Sequence, residues 1–136
     1  MVIKKLLSVA GIVGSLYAGS ATAVPVLGQT IMVSTTGDVT ATFVGSAATF
    51  NSQLFLVGGG GTIFDNFSTP PGTTVSLGSY AAGTVLTFGL AVLTTGETFY
   101  TGPGALNPDG VPHAIVDDMY AANTMYVRFE DLFGGG

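Results

Sequence analysis

The chain has 136 residues, a formal net charge of −5 and no cysteine. Its length suits one domain with one hydrophobic core, and disulfide bonds are excluded as a source of stability. Only 8% of the residues are charged, and the acidic excess repels phosphate groups, so nucleic acids and anionic membranes are disfavoured as partners.

The first 23 residues have the features of a secretory signal peptide. Lys4 and Lys5 precede a mostly apolar run, and Ala21-Thr22-Ala23 is an A-x-A cleavage site. The apolar run is shorter than the roughly 20 residues that a membrane-spanning helix needs. We therefore expect export, cleavage after Ala23, and a secreted or cell-surface domain that does not insert directly into the membrane after cleavage.

Residues 24–136 then form a single, strongly acidic domain. Arg128 is its one basic residue, against eight acidic residues. Cations are the natural ligands of such a surface. A cysteine-free, acidic, exported domain favours calcium over zinc or copper, because calcium prefers oxygen ligands.

The domain is predicted to be all-β, as an antiparallel sandwich of the jelly-roll type. Residues that build exposed helix faces are scarce, and no stretch keeps a helical spacing of apolar residues. Eight or nine short strands separated by Gly and Pro turns are typical of sandwiches and barrels. The predicted strands are 29–34, 39–44, 52–57, 62–67, 74–80, 84–93, 97–101, 113–120 and 124–131.

Three of these strands have predicted facings. Alternation along 39–44 and 124–131 points every second residue inward. Segment 84–93 is apolar on both sides, which predicts one long central strand. The inward residues are Val39, Ala41 and Phe43 in the first strand, and Met125, Val127 and Phe129 in the last. The run Gly58 to Gly61 is interpreted as a flexible hairpin loop, because no Lys-Ser/Thr follows it as in a phosphate loop.

Chemistry is concentrated after residue 99. The residues there that carry charge or can coordinate a metal are Asp109, His113, Asp117, Asp118, Arg128, Glu130 and Asp131. The sequence Asn107-Pro108-Asp109-Gly110 is a turn on residue types alone. If that loop folds back beside the end of the final strand, Asn107, Asp109, Glu130 and Asp131 supply four oxygen ligands for calcium.

His113 is the single histidine, and we expect a structural role for it. A hydrolase also needs an activated nucleophile, and no Ser or Thr lies in a recognisable nucleophile turn. The ring is expected to hydrogen-bond Asp117 or a loop carbonyl. Asp117 and Asp118 are adjacent in a strand, so their carboxylates point to opposite faces and do not form an acid/base pair. The protein is therefore expected not to be an enzyme.

Several motifs together resemble the bacterial secreted domain known as domain of unknown function 4114. They are Ser76-Leu77-Gly78, Gly83-Thr84, Phe99-Tyr100-Thr101-Gly102, Asn107-Pro108-Asp109-Gly110, His113-Ala114 and Phe129-Glu130-Asp131-Leu132 with Gly134-Gly135-Gly136. The resemblance implies an all-β extracellular module with a cation site, of a kind found in exported proteins with PEP-CTERM sorting signals. In that family an acidic segment and one more strand follow, so the domain is expected to be C-terminally incomplete.

The function expected from all of this is a calcium-stabilised, non-catalytic domain. It would have a structural or adhesive role at the cell surface or in the extracellular matrix, with an extracellular polysaccharide or a surface protein as partner. An open sheet edge would also favour self-association. The alternative is a carbohydrate-binding module in which Tyr100, Tyr120 and Tyr126 form an aromatic platform.

Overall fold

The computed structural model describes residues 2–7, 25–121 and 123–135, and these ranges are built from β-strands. No α-helix occurs in them; the one helical turn is a short 3-10 turn, Gly104–Leu106. The strands are β1 (Val2–Leu7), β2 (Val26–Leu27), β3 (Ile31–Met32), β4 (Gly37–Gly45), β5 (Ser52–Leu56), β6 (Thr62–Asp65), β7 (Thr74–Tyr80), β8 (Val85–Leu86), β9 (Phe88–Val92), β10 (Glu97–Tyr100), β11 (Ala114–Ala121) and β12 (Thr124–Phe129).

The strands form three sheets in which neighbours run antiparallel. The largest has the order β2-β11-β12-β1-β4-β7, the second has the order β10-β9-β5-β6, and β3 pairs with β8 alone. The predicted all-β class is confirmed. The jelly-roll sandwich stays a prediction.

The two larger sheets share one hydrophobic core. The inward residues predicted for β4 and β12 are all buried, as the alternation of apolar and polar residues requires. Phe43 on β4 contacts Phe64 on β6, with ring centroids 5.5 Å apart. Because this pair joins one large sheet to the other, the core lies between them.

The long strand predicted for 84–93 is divided, which corrects that prediction. β8 and β9 are separated at Thr87, where the chain leaves the pairing with β3 and enters the sheet that contains β5. β9 is central, as expected, since β10 and β5 flank it. The second apolar face is only partly covered: Leu93 is 51% exposed, whereas Gly89 lies under the ring of Phe55 with no room for a side chain.

The last two predicted strands form a hairpin whose bounds differ from the prediction: β11 begins one residue later than expected and β12 ends two residues earlier. Asn123 turns the chain with a left-handed φ of 53°, a conformation that asparagine tolerates better than most residues. His113 and Glu130 lie just outside the ladder, with the Glu130 N–H donating to the His113 carbonyl at 2.8 Å. The prediction that both ends continue as strand was wrong, because these residues turn toward the site described below.

β1 lies inside the predicted signal peptide and was not predicted as a strand. It occupies a place between β12 and β4, pairing Ile3 with Val127 on one side and with Phe43 on the other. The cleavage site at Ala21 to Ala23 lies outside the described residues. Export therefore stays a prediction. Within the described ranges, no helix is long and apolar enough to cross a membrane.

Candidate functional site

The loop between β10 and β11 is organised by the side chain of Asn107. This side chain is buried, and its Oδ1 accepts a hydrogen bond from the Tyr100 N–H at 2.6 Å. Its Nδ2 donates to the Val111 carbonyl at 2.8 Å. Buried backbone groups need hydrogen-bond partners. The one Asn107 side chain supplies a partner to the Tyr100 N–H at the end of β10 and to the Val111 carbonyl on the far side of the loop.

His113 is enclosed at the base of the same loop. Its ring stacks on Phe99, with centroids 3.7 Å apart and planes 11° from parallel. Nδ1 lies 2.8 Å from the Glu130 carbonyl oxygen. Because a carbonyl only accepts, Nδ1 is the donor in that bond. Nε2 lies 2.7 Å from Oδ2 of Asp109, so both ring nitrogens are engaged and the side chain has 0% exposure.

Asp109 connects this loop to the C-terminal segment. Its Oδ2 also accepts from the Gly134 N–H at 2.7 Å, and Oδ1 accepts from the Val111 N–H at 3.2 Å. Burial by itself would raise the pKa of Asp109. The hydrogen bonds from Gly134, His113 and Val111, with the charge attraction of His113, outweigh burial and lower the pKa to about 2.

We call Asp109, His113 and the Glu130 carbonyl, together with Phe99 and Gly134, the histidine brace. It joins the loop after β10, the start of β11 and the segment after β12. One ring thereby joins the loop that leads into β11 to the segment after β12, 17 residues further along the chain. A buried, fully hydrogen-bonded polar cluster of this kind rigidifies the structure around it.

The predicted calcium ligands are only partly brought together. Asp109 and Glu130 meet at the brace, but Glu130 contributes its backbone carbonyl there, while its carboxylate accepts from the Leu132 N–H at 3.1 Å. Asp131 accepts from the Ser52 hydroxyl at 3.4 Å. In the part of the chain that the structure describes, no group of three or more His, Cys, Asp or Glu side chains is placed to hold a metal ion. Calcium binding stays a prediction.

The other acidic residues flagged in the sequence lie away from the brace. Asp118 is exposed on β11 and accepts a hydrogen bond from Gln29 at 2.8 Å. Its neighbour Asp117 is half-buried. Of the two partners predicted for His113, the loop carbonyl is the one observed, at Glu130.

Two of the three tyrosines proposed as an aromatic platform are brought together. Tyr120 and Tyr126 face each other across the β11–β12 hairpin, with ring centroids 5.1 Å apart. Tyr100 lies on β10 in the other large sheet, edge-to-face with Phe55 at 6.3 Å. The pair, and not the trio, is therefore the aromatic feature of this sheet.

A cavity of about 450 Å³ opens beside the end of β12. No spacing pattern in the sequence predicts this cavity, because its walls come from two segments that are far apart in the chain. One wall is the segment after β4 and the other is the end of β12 with the residues that follow. The lining residues are Ala47, Ala48, Thr49, Phe50, Arg128, Phe129, Glu130, Asp131 and Leu132.

Comparison with known proteins adds no relative. No protein-family model, no curated protein and no solved structure matches the chain. The resemblance to domain of unknown function 4114 accordingly stays a prediction.

Proposed function

We propose that the chain is an exported bacterial β-domain, cleaved after Ala23, with a structural or adhesive role and no catalytic activity. The observation that supports this most strongly is the enclosure of His113. The single imidazole of the chain is fully buried, stacked on Phe99, and bonded at both nitrogens. A general base must reach the proton that it removes, and this ring has no free nitrogen to do so.

The export proposal is tested by expressing the whole chain in a bacterial host and sequencing the N-terminus of the protein it releases. We expect a first residue of Val24 and a product that external protease reaches on intact cells or in the medium. A product that remains in the cytoplasm with Met1 at its start contradicts the proposal. A matched control replaces the cleavage motif by Ala21→Arg and Ala23→Arg, which should block processing.

Calcium stabilisation remains part of the proposal. It is supported by two acidic residues, Glu130 and Asp131, among those that line the open cavity, and by the acidic composition of the exported part. Calcium at about 100 times its dissociation constant would add roughly 2.7 kcal/mol to the free energy of unfolding. We expect the melting temperature to rise with calcium relative to EDTA, and the rise to be lost in Asp131→Asn but kept in Glu97→Gln. An unchanged melting temperature contradicts calcium binding.

A second candidate function is carbohydrate binding, favoured by the Tyr120–Tyr126 pair. Aromatic faces at a surface bind the apolar faces of sugar rings, and Tyr adds a hydroxyl for hydrogen bonding. Pull-down with insoluble polysaccharides tests it. We expect Tyr126→Ala to abolish retention while Tyr100→Ala, on the other sheet, preserves it. Equal retention of both variants and the parent protein contradicts a role for the pair.

A further inference from the structure

We propose that the exported domain binds a β-strand of a partner polypeptide in the place that β1 occupies in the uncleaved chain. We call this place, between β4 and β12, the slot. The inference rests on the proposed cleavage after Ala23, since that cleavage removes Val2–Leu7 from the domain.

The slot is a full strand wide and open to pairing on both sides. β1 pairs antiparallel with β12 from Val2–Arg128 to Leu6–Thr124, and antiparallel with β4 from Val2–Gly45 to Leu7–Val39. β4 and β12 therefore run parallel to each other, about 9–10 Å apart. Once β1 has been removed, each presents a row of backbone N–H and C=O groups without partners, which is the arrangement that recruits an added strand.

The slot cannot close by a small movement of its walls. β4 is held on its far side by β7, and β12 is held on its far side by β11. Bringing β4 and β12 into contact would require a shift of about one strand spacing. Phe43 and Val127, which are buried in the shared core, would have to move with their strands, and close-packed cores resist such displacement.

β1 itself matches the slot imperfectly. Residues directly opposite one another in an antiparallel pair share a face, so Ile3, Lys5 and Leu7 take register positions on the buried face. Lys5 is placed between Ala41 and Met125, both of which are buried. At a register position with buried neighbours on both sides, an apolar residue gains from burial whereas a charged one must be desolvated. The slot therefore suits a strand with an apolar residue at this position better than it suits the leader.

The surroundings of the slot define the chemistry of the partner. On the outer face the neighbours are Thr40, Thr42, Tyr126 and Arg128, so polar residues fit the first, third and fifth positions of a six-residue strand. Arg128 is exposed beside the first position and favours an acidic residue there. Arg128 also lines the cavity of about 450 Å³, so the cavity lies at the end of the slot where the first residue of the added strand would pair. It has room for a bulky partner residue that precedes the added strand.

A different polypeptide fits better than a second copy of this chain. Every strand found within residues 25–121 and 123–135 already pairs in a sheet of its own domain. A second copy would have to break one of those ladders to donate a strand. The partner is therefore an extended segment of another protein, apolar at its second, fourth and sixth positions.

The test uses the exported protein, with its N-terminus established by sequencing, and four synthetic peptides. The first pair is Val2–Leu7 itself and its Lys5→Val form. The second pair is Glu-Ile-Thr-Val-Thr-Leu and a phase-shifted peptide of the same composition, Ile-Glu-Val-Thr-Leu-Thr. Calorimetric titration measures affinity and stoichiometry, and hydrogen exchange reports the backbone amides of β4 and β12.

We expect one-to-one binding of the Glu-Ile-Thr-Val-Thr-Leu peptide, with a higher melting temperature and slower exchange in β4 and β12. The Lys5→Val peptide should bind roughly tenfold or more tightly than Val2–Leu7, and the phase-shifted peptide should not bind, because a one-residue slip turns its apolar residues outward. A domain that is unfolded alone but folds when the matched peptide is added also supports the proposal.

Other results overturn it. A domain that starts at Val24 and binds no peptide, or that already protects the β4 and β12 amides as a monomer, contradicts strand uptake but leaves export intact. A dimer that excludes the peptides identifies a second copy as the donor and overturns the choice of a different partner. A product that starts at Met1 overturns export and strand uptake together.

Discussion

At the scale of single residues, His113 makes the contacts whose loss should matter most. His113→Ala removes the ring stacked on Phe99 and leaves the Asp109 carboxylate and the Glu130 carbonyl without that donor. Leaving a buried acceptor without its donor typically costs about 1–3 kcal/mol, and urea unfolding should show a loss of at least that size. Asp118→Asn is the matched control, because its exposed bond to Gln29 should change stability by about 1 kcal/mol or less. Equal, small effects of the two variants would contradict the brace.

Asp109 gives the domain a specific dependence on pH. Its pKa is about 2 in the folded protein against an ordinary value of 3.8, so the unfolded chain binds the proton more readily. The stabilisation from this group is complete above about pH 4 and is lost as the pH falls toward about 2. In a series of urea unfolding curves over that range, Asp109→Asn should flatten the fall in stability, whereas Asp118→Asn should retain it. A fall of the same steepness in Asp109→Asn would show that other carboxylates are responsible.

The residues of the brace and its loop were more predictable than their roles. Asp109, His113 and Glu130 stand out in the sequence because only 8% of its residues are charged and it has one histidine, and Asn107 stands out as the start of a turn motif. Residue types do not reveal that Glu130 acts through its carbonyl, nor that Asn107 uses its amide to hold the loop. The roles of Phe99 and Gly134 could not be predicted from the sequence. Phe99 looks like any other apolar core residue, and Gly134 looks like any other glycine.

At the scale of strands, Phe88 tests the position of β9 at the centre of its sheet. Its side chain is 2% exposed, and Phe88→Ala should lower the free energy of unfolding by about 3–5 kcal/mol. Leu93→Ala, five residues later and largely exposed, should cost about 0.5 kcal/mol or less. Thermal or urea unfolding of both variants measures the difference. Similar costs for the two would place β9 at an edge rather than in the core.

The alternation of apolar and polar residues predicted which segments form strands, but it did not predict where each strand begins and ends. β7 has the predicted bounds, and β4 and β12 have the predicted inward faces, because alternation reports burial directly. The break at Thr87 was invisible because the alternation continues through it while the pairing partner changes. β1 was missed for two reasons. Its segment, with two lysines before an apolar run, has the composition of a signal peptide. Its pairing with β4 and β12 also depends on strands that are remote in sequence.

At the scale of the whole molecule, an acidic domain without disulfide bonds is stabilised by one core between two sheets and by the histidine brace beside it. The brace connects the loop after β10 to the segment after β12, the region in which the sequence placed the calcium site. The His113 ring, at 2.7 Å from the Asp109 carboxylate, occupies the place beside Asp109 where a cation was expected. The same end of the sheet carries the cavity, and beside it lie the edges of β4 and β12 that pair with β1.

The state of the His113 ring tests this account most directly. Because the chain has one histidine, nitrogen-correlated NMR of untagged protein observes this ring alone. We predict a ring N–H signal on Nδ1 that exchanges slowly with solvent, since Nδ1 donates to the buried Glu130 carbonyl, and no reaction of the ring with diethyl pyrocarbonate. A ring whose N–H signal is lost to fast exchange, or that the reagent modifies in the folded protein, would contradict the brace and reopen the case for catalysis.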